Sequence, residues 1–246
     1  MVNQLAADAR KTRWQWLARG VSSHVTRIYC GSLARDKSVA ICGYPRSGTS
    51  WVSAVLARYY FLPVPRHYHL PQLYPQVLHG HDLRLGGMHR VFYMARSPYQ
   101  LFPSLFVKRY GITNPSDTDR ARFARFLETE LSSPHESPLS WVNHIAAAYE
   151  AFGSEAVMIY DPDPHAMATV LSRRIADVNG TCDHARLTRC IADHATSQSK
   201  PTTVTSGTAR AFDWFNSETD ALLQAELEDL HHLCPRLDLS RLKARL

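Results

Sequence analysis

The stretch from Ser38 to Tyr60, SVAICGYPRSGTSWVSAVLARYY, constrains the fold more than any other part of the chain. A continuous apolar run, SVAICGYP (38–45), enters a glycine-punctuated loop, and TSWVSAVLARYY (49–60) then takes helical spacing. In a strand, tight loop and helix joined this way, the loop N–H groups and the helix N-terminus converge on an anion. The spacing of Gly43 and Gly48, with Thr49 and Ser50 behind them, is that of a phosphate-binding loop. In the triphosphate-binding version a lysine follows the second glycine and reaches the β- and γ-phosphates. Thr49 stands in that place here, so the loop calls for a phosphate other than that of ATP or GTP.

The rest of the chain repeats the alternation. QVLHGH (76–81), RVFYMAR (90–96) and AVMIYDPD (156–163) read as further strands. Between and after them, SPYQLFPSLFVKRYG is a proline-opened helix, RARFARFLETEL (120–131) a second, and SWVNHIAAAYEAFG (140–153) a third stopped by Gly153. PHAMATVLSRRIADVNG (164–180), ARLTRCIADHA (185–195) and ETDALLQAELEDLHHLC (218–234) follow as helices, with a polar loop over 197–216. Strands alternating with helices predict an α/β fold, a central parallel sheet with helices on both faces, in one domain. Residues 37–246 form that domain and residues 1–36 a helical extension. The extension is poor in acidic residues and rich in Arg and Trp. It is read either as an edge helix packed on the domain or as a basic face touching lipid headgroups or a partner.

Composition narrows the function classes. A hydrophobic content of 45% suits a globular protein, not a disordered one. No apolar run approaches the roughly 18–20 residues that span a bilayer, and the N-terminus lacks a secretory apolar region, so a soluble, cytoplasmic protein is expected. Cys30, Cys42, Cys182, Cys190 and Cys234 are scattered and never in CxxC spacing, which argues against a disulfide framework and a zinc site. The net charge of +6 is distributed, much of it as arginine, which suits bidentate grip on phosphate or sulfate oxygens. Without a Lys/Arg block or a recognition signature, no nucleic-acid partner is expected.

A nucleotide triphosphatase needs, besides the missing lysine, a strand-end carboxylate for Mg²⁺. The strongest neighbouring strand ends in Ala95-Arg96 instead, so an anion gripped by protein groups, with no metal, is expected. GYPRSGTSW resembles the 5′-phosphosulfate loop of the sulfotransferases that use 3′-phosphoadenosine 5′-phosphosulfate (PAPS), and VFYMARSPYQLFPSLF supplies Arg96 and Ser104 in that family's R-x(7)-S spacing. The resemblance implies the P-loop-like sulfotransferase architecture and PAPS as cofactor, with 3′,5′-ADP as product. It places Arg46, Ser47, Gly48, Thr49, Ser50 and Trp51 at the 5′ side and Arg96 and Ser104 at the 3′-phosphate. SWVNHIAAAY is similar to the family's W-x-x-H helix, AVMIYDPD to its YEDL strand, and IADHATSQSK to a segment whose serine approaches the cofactor. These imply Tyr160 and Ser197 at the nucleotide. SGTARAFDW is similar to the loop that closes over the 3′-phosphate, with Gly207 and Arg210 as nearest equivalents and the family's RKG triplet not intact. The resemblance covers roughly residues 38–234.

The family's K-T-H segment corresponds to His79-Gly80-His81, which implies His81 as general base and puts His79 where a charge-stabilising lysine is usual. Strand alternation puts both rings on one face, so their roles are exchangeable at this point. A chain with 13 histidines also offers the plainer reading of each as a surface or core residue. Trp51 is equally a core residue or an adenine neighbour, and His67 and His69 are loop residues that could line an acceptor cleft. The reaction implied is sulfuryl transfer to a hydroxyl, less readily an amine, of a small-molecule, glycan or lipid acceptor. The alternatives are a P-loop kinase-like phosphotransferase and a non-catalytic nucleotide-binding protein of the same fold.

Overall fold

Four short strands, β1 (Val39–Gly43), β2 (Val77–Gly80), β3 (Val91–Ala95) and β4 (Val157–Ile159), lie side by side in the order β2-β1-β3-β4, all parallel. The computed structural model describes residues 13–65, 70–85, 87–197, 209 and 212–243. The helices are α1 (Arg13–Gly31), α2 (Thr49–Tyr60), α3 (Pro98–Tyr110), α4 (Asp117–Ser132), α5 (Trp141–Phe152), α6 (Pro164–Asn179), α7 (His184–Ser197) and α8 (Ser217–Leu233). A 3₁₀ turn (Ser154–Ala156) precedes β4. Among the described residues, no helix is long and apolar enough to cross a membrane.

The period of two along each strand divides the core. Ala40 and Cys42 of β1 and Val91, Tyr93 and Ala95 of β3 face one layer, with Leu101, Phe102 and Leu105 of α3, Ile145 of α5 and Leu223 and Leu227 of α8. Val39, Ile41, Phe92 and Met94 face the other, with Val52, Val55 and Leu56 of α2, Leu171 of α6 and Leu187 of α7. Both faces of the sheet are covered, which is why its strands read as continuous apolar runs and not as alternating ones. It is a single α/β domain.

The connections position the site. The chain leaves β1 into α2 on one face, whereas it leaves β3 into α3 on the other. Helices that depart from adjacent parallel strands to opposite faces open a crevice at the carboxyl ends of those strands. Tyr44–Gly48, Arg96 and Tyr160 all follow strand ends on this edge, and β2 finishes beside it at Gly80. Behind the loop, Tyr44 donates to the buried Glu130 carboxylate (3.3 Å), which also receives Arg109 (2.9 Å), so α3 and α4 anchor the first loop residue.

Candidate active site

The loop is closed by two constraints. A Cβ on Gly43 would stand 2.4 Å from the Met94 carbonyl oxygen and 2.9 Å from Thr49 Cγ2, so β1 can approach β3 this closely only without a side chain there. Gly48 has φ +87, and a Cβ on it would meet the Tyr160 ring at 2.7 Å. Arg46 also adopts a left-handed conformation (φ 71), which costs a non-glycine residue about 1–2 kcal/mol. Strain of this kind gathers where a backbone is held in a shape needed for a ligand.

Gly48 is the N-cap of α2, and among the described residues no side chain caps the helix. Ser47 Nα bonds back to the Tyr44 carbonyl, and the Trp51 and Val52 amides both reach the Gly48 carbonyl. The first-turn N–H groups of Thr49 and Ser50 have no carbonyl a turn earlier to use. Ser47 is fully buried, and its Oγ has no hydrogen-bond partner among the described residues. A buried hydroxyl left so is costly unless a ligand supplies the bond.

Arg46 of the loop meets Arg96, Gln100, Ser104 and Tyr160 from the ends of β3 and β4 and the start of α3. Arg46 Nε and Nη2 both donate to Ser104 Oγ, at 3.0 and 2.9 Å. Arg96 Nη1 donates to the Arg46 carbonyl oxygen (3.0 Å) and Nε to Gln100 Oε1 (3.2 Å), while its guanidinium lies over the Tyr160 ring at 5.0 Å. Gln100 and Ser104 share one face of α3, four residues apart, and Arg96, which follows β3 and precedes the helix, reaches that face through Gln100. Burial lowers the Arg46 pKa, and a guanidinium, which proteins do not deprotonate, stays a cation. Gln100 was not singled out from the sequence. Its signal is the four-residue spacing from Arg96.

His79 in β2 and His81 just past its end keep their rings neighbours, 6.3 Å apart and edge to face, and differ in what they bond. His79 Nε2 lies 2.9 Å from Thr49 Oγ1, which ties it to the loop. His81 Nδ1 lies 2.6 Å from the Gly43 carbonyl oxygen. A carbonyl only accepts, so Nδ1 carries the hydrogen and Nε2 of the neutral ring is the basic nitrogen. The His81 carbonyl in turn accepts from His144 Nε2 (2.8 Å), whose Nδ1 lies 2.7 Å from Tyr93 Oη. Burial is the main cause lowering the His144 pKa, so this ring is neutral. With Nε2–H donating, His144 Nδ1 accepts and Tyr93 donates. His144 is the histidine of W-x-x-H, and the sequence reading gave it no role.

Trp51 is half-buried on α2, edge-to-face with His194 of α7 at 6.1 Å. Ser197 is the last residue of α7, whereas His67, His69, Gly207 and Arg210 lie outside the described residues. Trp214, just beyond that loop, is buried and bonds the Ala209 carbonyl at 2.9 Å. Among the described residues, no three His, Cys, Asp or Glu side chains are grouped to hold a metal ion.

The crystal structure of mouse sulfotransferase SULT7A1 complexed with PAP superimposes on this chain with a TM-score of 0.53, covering 86% of this chain and 90% of that one at 15% identity. The fold is sulfotransferase-like. No protein-family profile matches the chain, and no curated protein matches it in sequence. At 15% identity the superposition speaks for the fold, and the chemistry has to be argued from the residues above.

Proposed function

We propose that this chain transfers a sulfuryl group from PAPS to an acceptor hydroxyl, with His81 as general base. The observation that carries the reading is the conjunction of an anion loop whose buried Ser47 Oγ has no partner among the described residues with a histidine whose Nδ1–H is committed to the Gly43 carbonyl. The neighbour of the same fold was crystallised with PAP, which is 3′,5′-ADP.

The donor set fits such a nucleotide. Arg46, Arg96, Ser47, Ser104 and the α2 N-terminus offer cationic and neutral donors, which suit phosphate and sulfate oxygens. When bound, PAPS supplies an activated sulfuryl group and leaves as 3′,5′-ADP. Arg96, buried and held by the Arg46 carbonyl and Gln100, is preorganised to receive the 3′-phosphate with little side-chain entropy left to lose. Arg46 and the loop amides stabilise charge on the 5′ side, as fixed donors do in other transfer sites. His79, bonded to Thr49, belongs to that same side. His81 Nε2 takes the acceptor proton, and the Gly43 carbonyl steadies the positive ring that results. Tyr160 backs Gly48 and Arg96 and so shapes the nucleotide side.

Release of 3′,5′-ADP from PAPS in the presence of a panel of alcohols and phenols tests this. His81→Ala lowers the acceptor-dependent rate by about 10²–10⁴-fold while nucleotide affinity is retained. Wild-type protein that releases no 3′,5′-ADP with any acceptor, or a His81→Ala rate equal to wild type, contradicts the assignment.

A further inference from the structure

Helix α1 is amphipathic in the wrong sense. It turns Ser22, Thr26 and Cys30 into the protein, one turn apart, and leaves Leu17, Val21 and Ile28 56%, 55% and 56% exposed. At about 100° per residue, Leu17, Val21, His24 and Ile28 fall within a sector of about 60°, a continuous stripe on the outer face. Thr26 Oγ1 accepts from the Gln72 amide (2.9 Å) and Cys30 Sγ from Gln76 Nε2 (3.6 Å), which holds the polar side of the helix against the domain. Burying a polar side and exposing an apolar one leaves a surface that water does not favour.

The charge beside the stripe is net positive. The helix has no acidic residue, and Arg27 borders the stripe, whereas Arg19 falls on the opposite side of the helix. Arg27 and Arg84 share the single carboxylate of Asp82, so that cluster keeps a net positive charge. A groove of ≈ 640 Å³ runs between α1 and this cluster, lined by Gly20, His24, Ile28, Asp82, Arg84 and Gly87. Ser23, Arg27 and Asp82 also line a small recess that reaches His79 and Gly80. The outer face of α1 is therefore continuous with the carboxyl edge of β2.

We infer that the outer face of α1 docks on an anionic lipid bilayer, with Leu17, Val21 and Ile28 entering the headgroup–acyl boundary and Arg27 and Arg84 meeting the lipid phosphates. An exposed apolar stripe bordered by a net-positive cluster is the signature of a helix lying in a membrane interface. A second copy of the chain is a poorer occupant, because a two-fold contact through this face sets arginine against arginine. The inference needs nothing from the proposed reaction.

Sedimentation of the full chain with vesicles tests it, using phosphatidylcholine alone and phosphatidylcholine mixed with phosphatidylglycerol. The protein sediments with the mixed vesicles, less so as salt is raised, and little with phosphatidylcholine alone. Leu17→Glu combined with Ile28→Glu lowers that binding by about tenfold or more, and the melting temperature stays unchanged because both side chains are already exposed. Absence of binding to the anionic vesicles, or full binding by the double variant, overturns the inference. A wild-type dimer that the double variant dissociates, with no vesicle binding, overturns it too and makes the face a self-contact.

Discussion

Placing a methyl group on Gly48 tests the loop at its tightest point. Two costs arise in Gly48→Ala. The backbone sits at φ +87, where an L-residue is less stable by about 1–2 kcal/mol. The new Cβ would lie 2.7 Å from Tyr160 Cδ2 and 2.9 Å from Cε2, against a comfortable carbon–carbon separation of about 3.5–4.0 Å. The ring has to retreat by about 1 Å, and the Arg96 guanidinium 5.0 Å above it moves with it. Overpacking of this kind adds about 1–3 kcal/mol. The sum, about 3 kcal/mol, lowers the melting temperature of a chain this size by roughly 6–12 °C. Thermal melts of Gly48→Ala, Tyr160→Ala and the double variant separate the two costs. In the double variant the steric part vanishes and the backbone part stays, so the two substitutions couple by about 1–3 kcal/mol. Gly48→Ala melting with the wild type, or strict additivity of the two changes, would refute the packing of Tyr160 against the loop.

Arg109→Met removes the guanidinium from the buried Glu130 carboxylate, which keeps Tyr44, the His135 amide and His135 Nδ1, and costs about 1.5–3 kcal/mol in denaturant unfolding; a loss below about 0.5 kcal/mol means the pair does not anchor Tyr44. His144 is held neutral by burial, so its folded pKa lies below that of the unfolded chain and the unfolded state binds the extra proton in acid. Its contribution is thus complete above pH 6.5 and is lost as pH falls below it, by up to about 1.4 kcal/mol per pH unit. Unfolding curves from pH 7.5 to 5 show this loss, and His144→Gln makes it shallower; an unchanged slope removes His144 as its source. Arg46→Ala depresses turnover more than 3′,5′-ADP affinity, whereas Arg96→Ala chiefly raises the apparent KM for PAPS; identical patterns in steady-state kinetics would end that division of labour.

Much of the frame was legible because local signals and tertiary structure agree. The span 49–60 is helical as its spacing predicts, and Gly153 ends α5 at φ 81. The strand expected over 156–163 is shorter, Val157–Ile159. Its ladder ends with the Tyr160 amide on the Ala95 carbonyl, and Asp163 then turns away to cap α6. The helix expected from Arg120 starts at Asp117, because Ser116 and Asp119 form a capping box before the apolar pattern begins. At the site, the resemblance of GYPRSGTSW and of the R-x(7)-S pair to sulfotransferase motifs brought out Arg46, Arg96 and Ser104. The chain could not show that Arg46 and not Arg96 bonds Ser104, since that depends on how the β1 loop lies across α3. The Tyr93–His144–His81 chain was hidden for the same reason: it joins β3, α5 and the end of β2, and only packing sets its geometry.

The central claim is a site for a nucleotide that carries a 3′-phosphate, and calorimetry with 3′,5′-ADP, 5′-AMP and ATP tests it directly. A charge-assisted contact to the 3′-phosphate through Arg96 contributes about 1.5–3 kcal/mol, roughly ten- to hundredfold in affinity. The account predicts that 3′,5′-ADP binds tighter than 5′-AMP by that factor without Mg²⁺, and that Arg96→Ala erases the difference. Equal affinity for 3′,5′-ADP and 5′-AMP, or Mg²⁺-dependent preference for ATP, would contradict it.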